Sequence, residues 1–295
     1  MKAGFVGLGA MGAPMAGHLR ARGLLAVVAN RSPEKAEAFV ASDGPSAGAA
    51  DAVANARAPA DFAACDVVAL CVSVDADVLQ VVDALAPVLR PGSVVVDHST
   101  VSVDTATRAH ARLAARGIGF LDAPVSGGVE GARNGRLSVM AGGDAADLEI
   151  ARPVLDAYAA RIAHMGAPGA GQATKAVNQV LVAGINEAVC EGLALGEKLG
   201  LDPEQLLPTL MAGAAGNWFL DKRGATMLRD EFVPGFKCAH LLKDLRIVDG
   251  MAREAGIRTT VIGQALADYG ELVRRGLGEA DTSALIVLKR EAEGK

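Results

Sequence analysis

Cysteine is scarce. The 295-residue chain has four, Cys65, Cys71, Cys190 and Cys238. They form no CxxC pair and no histidine spacing of a zinc site, so the expectation is a reducing, cytoplasmic setting and no metal. Cys238 and His240 alternate, but two ligands make no site. Aromatics are only 3% of the chain, with one tryptophan and two tyrosines. Neither Tyr158 nor Tyr269 is followed four positions on by lysine, which excludes a Tyr-x-x-x-Lys proton donor. No clustered basic face accompanies the formal charge of −5, which argues against a nucleic-acid partner. A small carboxylate-bearing substrate needs only a local positive site. No apolar run is long enough to span a bilayer. Met1–Gly7 runs directly into a glycine motif and leaves no room for a signal peptide. There is no internal repeat and no low-complexity tail. Against these absences stands 51% hydrophobic content, ample for a core, over a length that suits two domains.

Lys2–Val6 reads as a short buried strand. It meets Gly7-Leu8-Gly9-Ala10-Met11-Gly12 and then a helical pattern, the context that gives a G-x-G-x-x-G match its meaning. Gly7 permits the tight turn, Gly9 lets backbone approach a pyrophosphate, and Gly12 lets helix and strand pack closely. The helix N-terminus presents N–H groups to the phosphates. The next strand, Leu24–Ala29, ends at Asn30-Arg31-Ser32. An acid here would hold the ribose 2′-OH of NAD. Arg31 would instead attract a 2′-phosphate, and Asn30 and Ser32 can hydrogen-bond it. These residues predict NADP, with NAD possible.

Helices are expected over Pro33–Ala41, Asp77–Leu89 and Asp104–Arg116, with Asp51–Ala64 partly helical. Strands are expected at Asp66–Val72, Ser93–Val96, Gly119–Leu121, Leu137–Gly143 and Arg161–His164. Ligands of open parallel sheets bind outside the carboxyl ends of strands, which makes Ser73 and Thr100 candidate neighbours of cofactor or substrate. His98 reads as a structural hydrogen-bonder rather than a catalyst. Ser126-Gly127-Gly128 sets a hydroxyl beside two glycines able to bare their N–H groups, a plausible carboxylate cradle. Alternating strands and helices define a doubly wound Rossmann-like α/β domain over residues 1–165. An all-helical domain follows over 166–295. Its helices are expected near Gln172–Leu199, Asp202–Gly213, Asn217–Met227, His240–Ala255, Thr260–Arg275 and Ser283–Glu293.

The glycine-rich turn Gly169-Ala170-Gly171 opens into the long interdomain helix, which carries Lys175, Asn178 and Gln179 on one face. A lysine on an otherwise apolar helix needs pairing or a function. With a dinucleotide domain before it, the chemistry to expect is hydride transfer, for which the protein moves one proton. Lys175 is the best remaining acid/base, and burial would bring its pKa toward neutrality. Asn217-Trp218-Phe219 reads first as core or interface packing, and alternatively as a pocket wall. Lys243-Asp244 alone would read as a solvated pair.

The chain resembles the β-hydroxyacid dehydrogenase family. The resemblance rests on Phe5 through Met15, Asp97-His98-Ser99-Thr100, Asp122 through Gly128, Gly169 through Lys175 and Asn178, and Lys243-Asp244-Leu245. It implies Lys175 as the catalytic lysine that protonates the carbonyl oxygen, and Asn178 as an amide that positions substrate. Ser126, Gly127 and Gly128 would hold the substrate carboxylate. Thr100 and Lys243 would lie near the nicotinamide, with Phe236 and Asp244 on the substrate side. Some members carry a second asparagine where this chain has Gln179. The family's substrates are 3-hydroxy acids such as 3-hydroxyisobutyrate and their semialdehydes, with tartronate semialdehyde and glyoxylate/succinic semialdehyde as alternatives. A non-catalytic NADP-binding relative would lose the lysine. The resemblance also implies a homodimer or homotetramer built through the helical domains.

Overall fold

The strands that read as unbroken apolar runs are buried on both faces. In Val67–Leu70 all four residues are buried, and the same holds for Val94–Asp97. Successive side chains alternate between two core clusters. Val67, Ala69, Val94 and Val96 join one cluster, while Val68, Leu70 and Val95 join the other, as the two-residue period of a strand requires. A sheet covered on both faces follows.

The computed structural model describes residues 1–42 and 52–291, in two compact units, 1–175 and 176–295. The first runs β1 (Ala3–Val6), α1 (Gly12–Ala21), β2 (Leu25–Ala29), α2 (Pro33–Ala41), β3 (Ala54–Asn55), β4 (Val67–Leu70), α3 (Asp75–Leu85), β5 (Val94–Asp97), α4 (Val103–Ala114), β6 (Gly119–Asp122), β7 (Val125–Ser126), α5 (Gly128–Arg133), β8 (Leu137–Gly142), α6 (Ala145–Leu155) and β9 (Ala159–Gly166). The sheet order is β3-β2-β1-β4-β5-β6-β8-β7, with β9 pairing on β8. From β3 to β6 every pairing is parallel. The chain reverses its direction of winding between β1 and β4, the switch point where such sheets bind ligands. The Rossmann-like reading therefore holds.

Three local expectations change. Asp51 lies outside the described residues. The rest of the segment expected to be partly helical holds the two-residue strand β3, pairing on β2, and a 3₁₀ turn at Pro59–Phe62 as its helical part. The expected loop after β6 contains β7, which pairs antiparallel with β8, and the short helix α5. Sheet pairing has overridden weak local signals there. The final helix is a 3₁₀ turn, Thr282–Leu285, followed by α12 (Ile286–Lys289); residues 292 and 293 of that expectation lie outside the described residues.

The long helix α7 (Ala170–Lys198) leads into the second unit. There α8 (Pro203–Ala212), α9 (Trp218–Leu228), α10 (Cys238–Glu254) and α11 (Thr260–Arg274) enclose a core that includes Cys190, Phe219, Met227, Leu241 and Tyr269. Side-chain caps set several starts: Asp202 accepts from the Glu204 N–H and Asn217 from the Leu220 N–H. Such caps contribute about 1 kcal/mol each.

Beyond the end of β5, His98 is 3% exposed. One ring nitrogen pairs with the Ala123 carbonyl at 2.7 Å and the other with the Tyr158 hydroxyl at 2.8 Å. It is a buried linker between strand ends, and burial lowers its pKa from 6.5 to about 4. Below the unfolded value, the unfolded chain takes up a proton that the fold refuses. Stability from this group is thus whole above pH 6.5 and is lost as the pH falls towards 4. The loss reaches about 3 kcal/mol. Urea unfolding of the native chain and His98→Gln between pH 7 and 4 should show the native curve falling more steeply by about that amount. Parallel curves would contradict it.

Candidate active site

The turn after β1 is built for close approach. Gly7 has φ +97°, a region side-chain-bearing residues rarely adopt. A Cβ there would collide with the Cys71 carbonyl of the neighbouring strand end, and a Cβ on Gly12 would collide with the Gly7 carbonyl. Gly9 differs: nothing lies within 4 Å of the Cβ position. Protein packing explains the first and third glycines and leaves open space at the second, as a pyrophosphate approaching the backbone would require. Leu8, Ala10 and Met11 complete the turn, and Ala10 is exposed. The residues present thus fit a dinucleotide.

Asn30, at the end of β2, ties this turn to the sheet. Its Oδ1 accepts from the Leu8 N–H at 2.8 Å, and its Nδ2 donates to the Ser32 carbonyl at 3.0 Å. The Arg31 side chain is 81% exposed and meets Asp77 at 3.2 Å. A pair this open to water contributes about 0–1 kcal/mol. Ser32 stands at the start of α2 without a capping bond from its hydroxyl. Ser73 is exposed just past β4, and the Val72 N–H donates to the Ser99 hydroxyl at 2.9 Å. The loops after β4 and β5 are thereby joined.

Lys175 is buried, 8% exposed. Its Nζ donates to the Val125 carbonyl at 2.9 Å. That bond brings the lysine to the short strand that ends in Ser126, just before the two glycines at the start of α5. Both glycines have positive φ, +127° at Gly127 and +61° at Gly128. Ser126 and Gly128 are half-buried and Gly127 is exposed.

What holds the lysine there is a residue that the sequence reading gave no role. The buried Asp122 carboxylate, at the end of β6, accepts from the Gly169 N–H through Oδ1 and from the Gln172 N–H through Oδ2, both at 2.8 Å. It satisfies backbone donors at the start of α7, where an anion also complements the helix dipole. Burial pushes this carboxyl up from its ordinary value, and the backbone N–H bonds offset only part of that. Gln172 extends the clamp. Its Nε2 donates to the Ser99 carbonyl at 2.8 Å and its Oε1 accepts from the Val101 N–H at 3.2 Å. Thr100 lies between those two anchors. The first unit thus gathers Lys175, Ser126 and Thr100 around one helix start. No local spacing could reveal this, because Asp122 and Gly169 are 47 positions apart.

In the second unit, Gln179 is 1% exposed and bridges two other candidates. Its Oε1 accepts from Asn178 Nδ2 at 2.8 Å, and its Nε2 donates to Asp244 at 2.7 Å. Asp244, 3% exposed, also meets Lys243 at 3.0 Å. Lys243-Asp244 is therefore not the solvated pair it looks like in isolation. Phe236 is half-buried and its backbone N–H donates to Asp281 at 3.2 Å. Trp218 is not a core residue. It is 53% exposed at the first turn of α9, with the Arg223 guanidinium 5.6 Å from its ring centre. Among the described residues no three His, Cys, Asp or Glu side chains cluster to hold a metal, and no helix is long and apolar enough to cross a membrane.

Two family models cover almost the whole chain. Residues 2–166 match the NAD binding domain of 6-phosphogluconate dehydrogenase, and residues 169–288 match the NAD-binding domain of NADP-dependent 3-hydroxyisobutyrate dehydrogenase. An uncharacterized oxidoreductase of Shewanella frigidimarina is 38% identical over 97% of both chains. The NAD-dependent L-serine dehydrogenase of Pseudomonas aeruginosa is 34% identical, over 99% of this chain and 98% of its own. Among solved structures, 3-hydroxyisobutyrate dehydrogenase of Mycobacterium tuberculosis with L-serine is similar at TM-score 0.85 and 32% identity, covering 98% of this chain and 99% of that one. The chain belongs to the β-hydroxyacid dehydrogenase family. It is thus an NAD(P)-dependent enzyme acting on hydroxyl groups.

Proposed function

We propose that the chain interconverts a small 3-hydroxy acid, of the 3-hydroxyisobutyrate kind, and its semialdehyde, with NADP as the preferred cofactor. The observation that carries this reading is Lys175, buried and donating to the Val125 carbonyl next to a hydroxyl and two glycines in sequence. A bound nicotinamide supplies or takes the hydride. The Lys175 ammonium gives a proton to the carbonyl oxygen as the hydride arrives, and the amine takes that proton back in oxidation. One hydride and one proton make the alcohol, so charge balances. Ser126 and the bared N–H groups of Gly127 and Gly128 receive the substrate carboxylate, and the Asn178 carboxamide orients the oxygen that changes. L-Serine, named with two of the relatives, is itself a 3-hydroxy acid with a carboxylate, which supports the substrate class.

NADP is favoured by Arg31, Ser32 and Asn30 where an NAD site would carry an acid. The exposed Asp77 contact is weak enough for a 2′-phosphate to share the guanidinium. The chain also pairs with further copies of itself as a homodimer or homotetramer. The support is a stripe along α7: Val177, Leu181, Leu195 and Leu199 are each about 60% exposed, and most of it lines an apolar groove of about 620 Å³. Exposed apolar surface of this extent marks association sites.

A kinetic panel of 3-hydroxy acids and semialdehydes, with succinic, tartronate and glyoxylate substrates included, tests the enzyme reading. Lys175→Ala should lower kcat by about 10²–10⁴-fold while cofactor still binds, and Arg31→Ala should erase the preference for NADPH over NADH. A fully active Lys175→Ala, or an unmoved cofactor ratio, would refute the respective part. Light scattering should report a multiple of the 30.0 kDa chain mass, reduced by Leu181→Glu. A native monomer would refute self-association.

A further inference from the structure

Neighbouring side chains on a helix do not normally face each other, yet Asn178 and Gln179 on α7 are bonded at 2.8 Å. The reason lies one step further along. Asp244, on α10, is buried, and its carboxylate meets Lys243 at 3.0 Å. A carboxylate only accepts hydrogen bonds. It therefore fixes the buried Gln179 amide with its NH₂ toward Asp244, at 2.7 Å. The end of Gln179 that meets Asn178 is then its carbonyl oxygen, another acceptor. Asn178 must meet that oxygen with its own NH₂, and this leaves Oδ1 as the end of the Asn178 carboxamide that Gln179 does not engage.

We infer that Asp244, acting through Gln179, dictates which end of the Asn178 carboxamide is presented to substrate: an acceptor, matched to a hydroxyl proton. Gln179 and Asp244 are positioning residues. An amide alone in solvent turns either way, whereas one bonded to a fixed acceptor does not. The inference rests on the reading that Asn178 touches substrate. Asp244 faces the uncharged Gln179 from α7, and Lys243 and His240 from its own helix.

Gln179→Glu tests it, because a protonated carboxyl has the polarity of the amide and a carboxylate does not. In its acid form the new side chain donates O–H to Asp244 and accepts from Asn178. Once that shared proton leaves, two acceptors face each other and the order is lost. Steady-state kinetics of semialdehyde reduction should be followed from pH 5 to 9, with cofactor Kd and unfolding measured alongside. The expected result is a kcat/KM highest at low pH that falls tenfold or more along a limb the native enzyme lacks, with cofactor Kd constant. Gln179→Met, which keeps volume and removes both bonds, should lose kcat/KM about tenfold at every pH, and it carries the test if the glutamate variant does not fold. Native kcat/KM at all pH values in the variants that fold overturns the inference. Asn178→Ala separates the two levels. If it loses activity while the Gln179 variants do not, the relay alone is wrong; if it keeps native kcat/KM, the reading of Asn178 fails and the relay with it.

Discussion

The start of α7, and with it the position of Lys175, is tied to the sheet by one buried carboxylate. Asp122 accepts two backbone N–H groups from the start of α7, those of Gly169 and Gln172. A buried charge is costly unless hydrogen-bonded, and the raised pKa of this group reflects that cost. What offsets it is the first turn of a 29-residue helix, where unsatisfied N–H groups and the helix dipole favour an anion. Each such donor left without a partner would cost about 1–3 kcal/mol. The same turn sends Gln172 to the loop after β5 and, three residues later, Lys175 to the strand after β6. One contact thus sets strand ends and lysine in register.

The approach is close enough to dictate residue type nearby. A Cβ on Gly171 would collide with the carbonyls of Asp122 and Met140, and a Cβ on Gly142 would press on Asp122 and the α7 backbone. Glycine serves here as it does at Gly7 and Gly12, to bring backbone within van der Waals reach of backbone. Gly9 has no such neighbour, so packing within the protein does not account for it.

The alternating sheet, the parallel order and the helical second unit were legible in the residues, because apolar periodicity and glycine turns act locally. So was the interest of Lys175, an unusual residue in an apolar helix. The short strands β3 and β7 were not, since two-residue strands exist only through their partners β2 and β8. Nor was the role of Asp122, whose donors lie far along the chain. Gln179 posed a different difficulty. Its side-chain type left its contact open, and only α10 supplies the carboxylate that orders it. Trp218 read as core or interface packing, or as a pocket wall, and its exposure at the first turn of α9, against Arg223, removes only the core from that choice.

Asp122→Asn puts the central claim to the most direct test. Asparagine keeps the volume but replaces one acceptor by a donor, which faces a backbone N–H and breaks half of the clamp. The decisive measurement is kcat/KM for semialdehyde reduction, taken with cofactor Kd and an unfolding curve on the same preparation. If the clamp sets Lys175 against the substrate, kcat/KM falls tenfold or more while the protein stays folded and cofactor Kd stays within about twofold. A folded Asp122→Asn enzyme with native kcat/KM would show that Lys175 is held in place by something else.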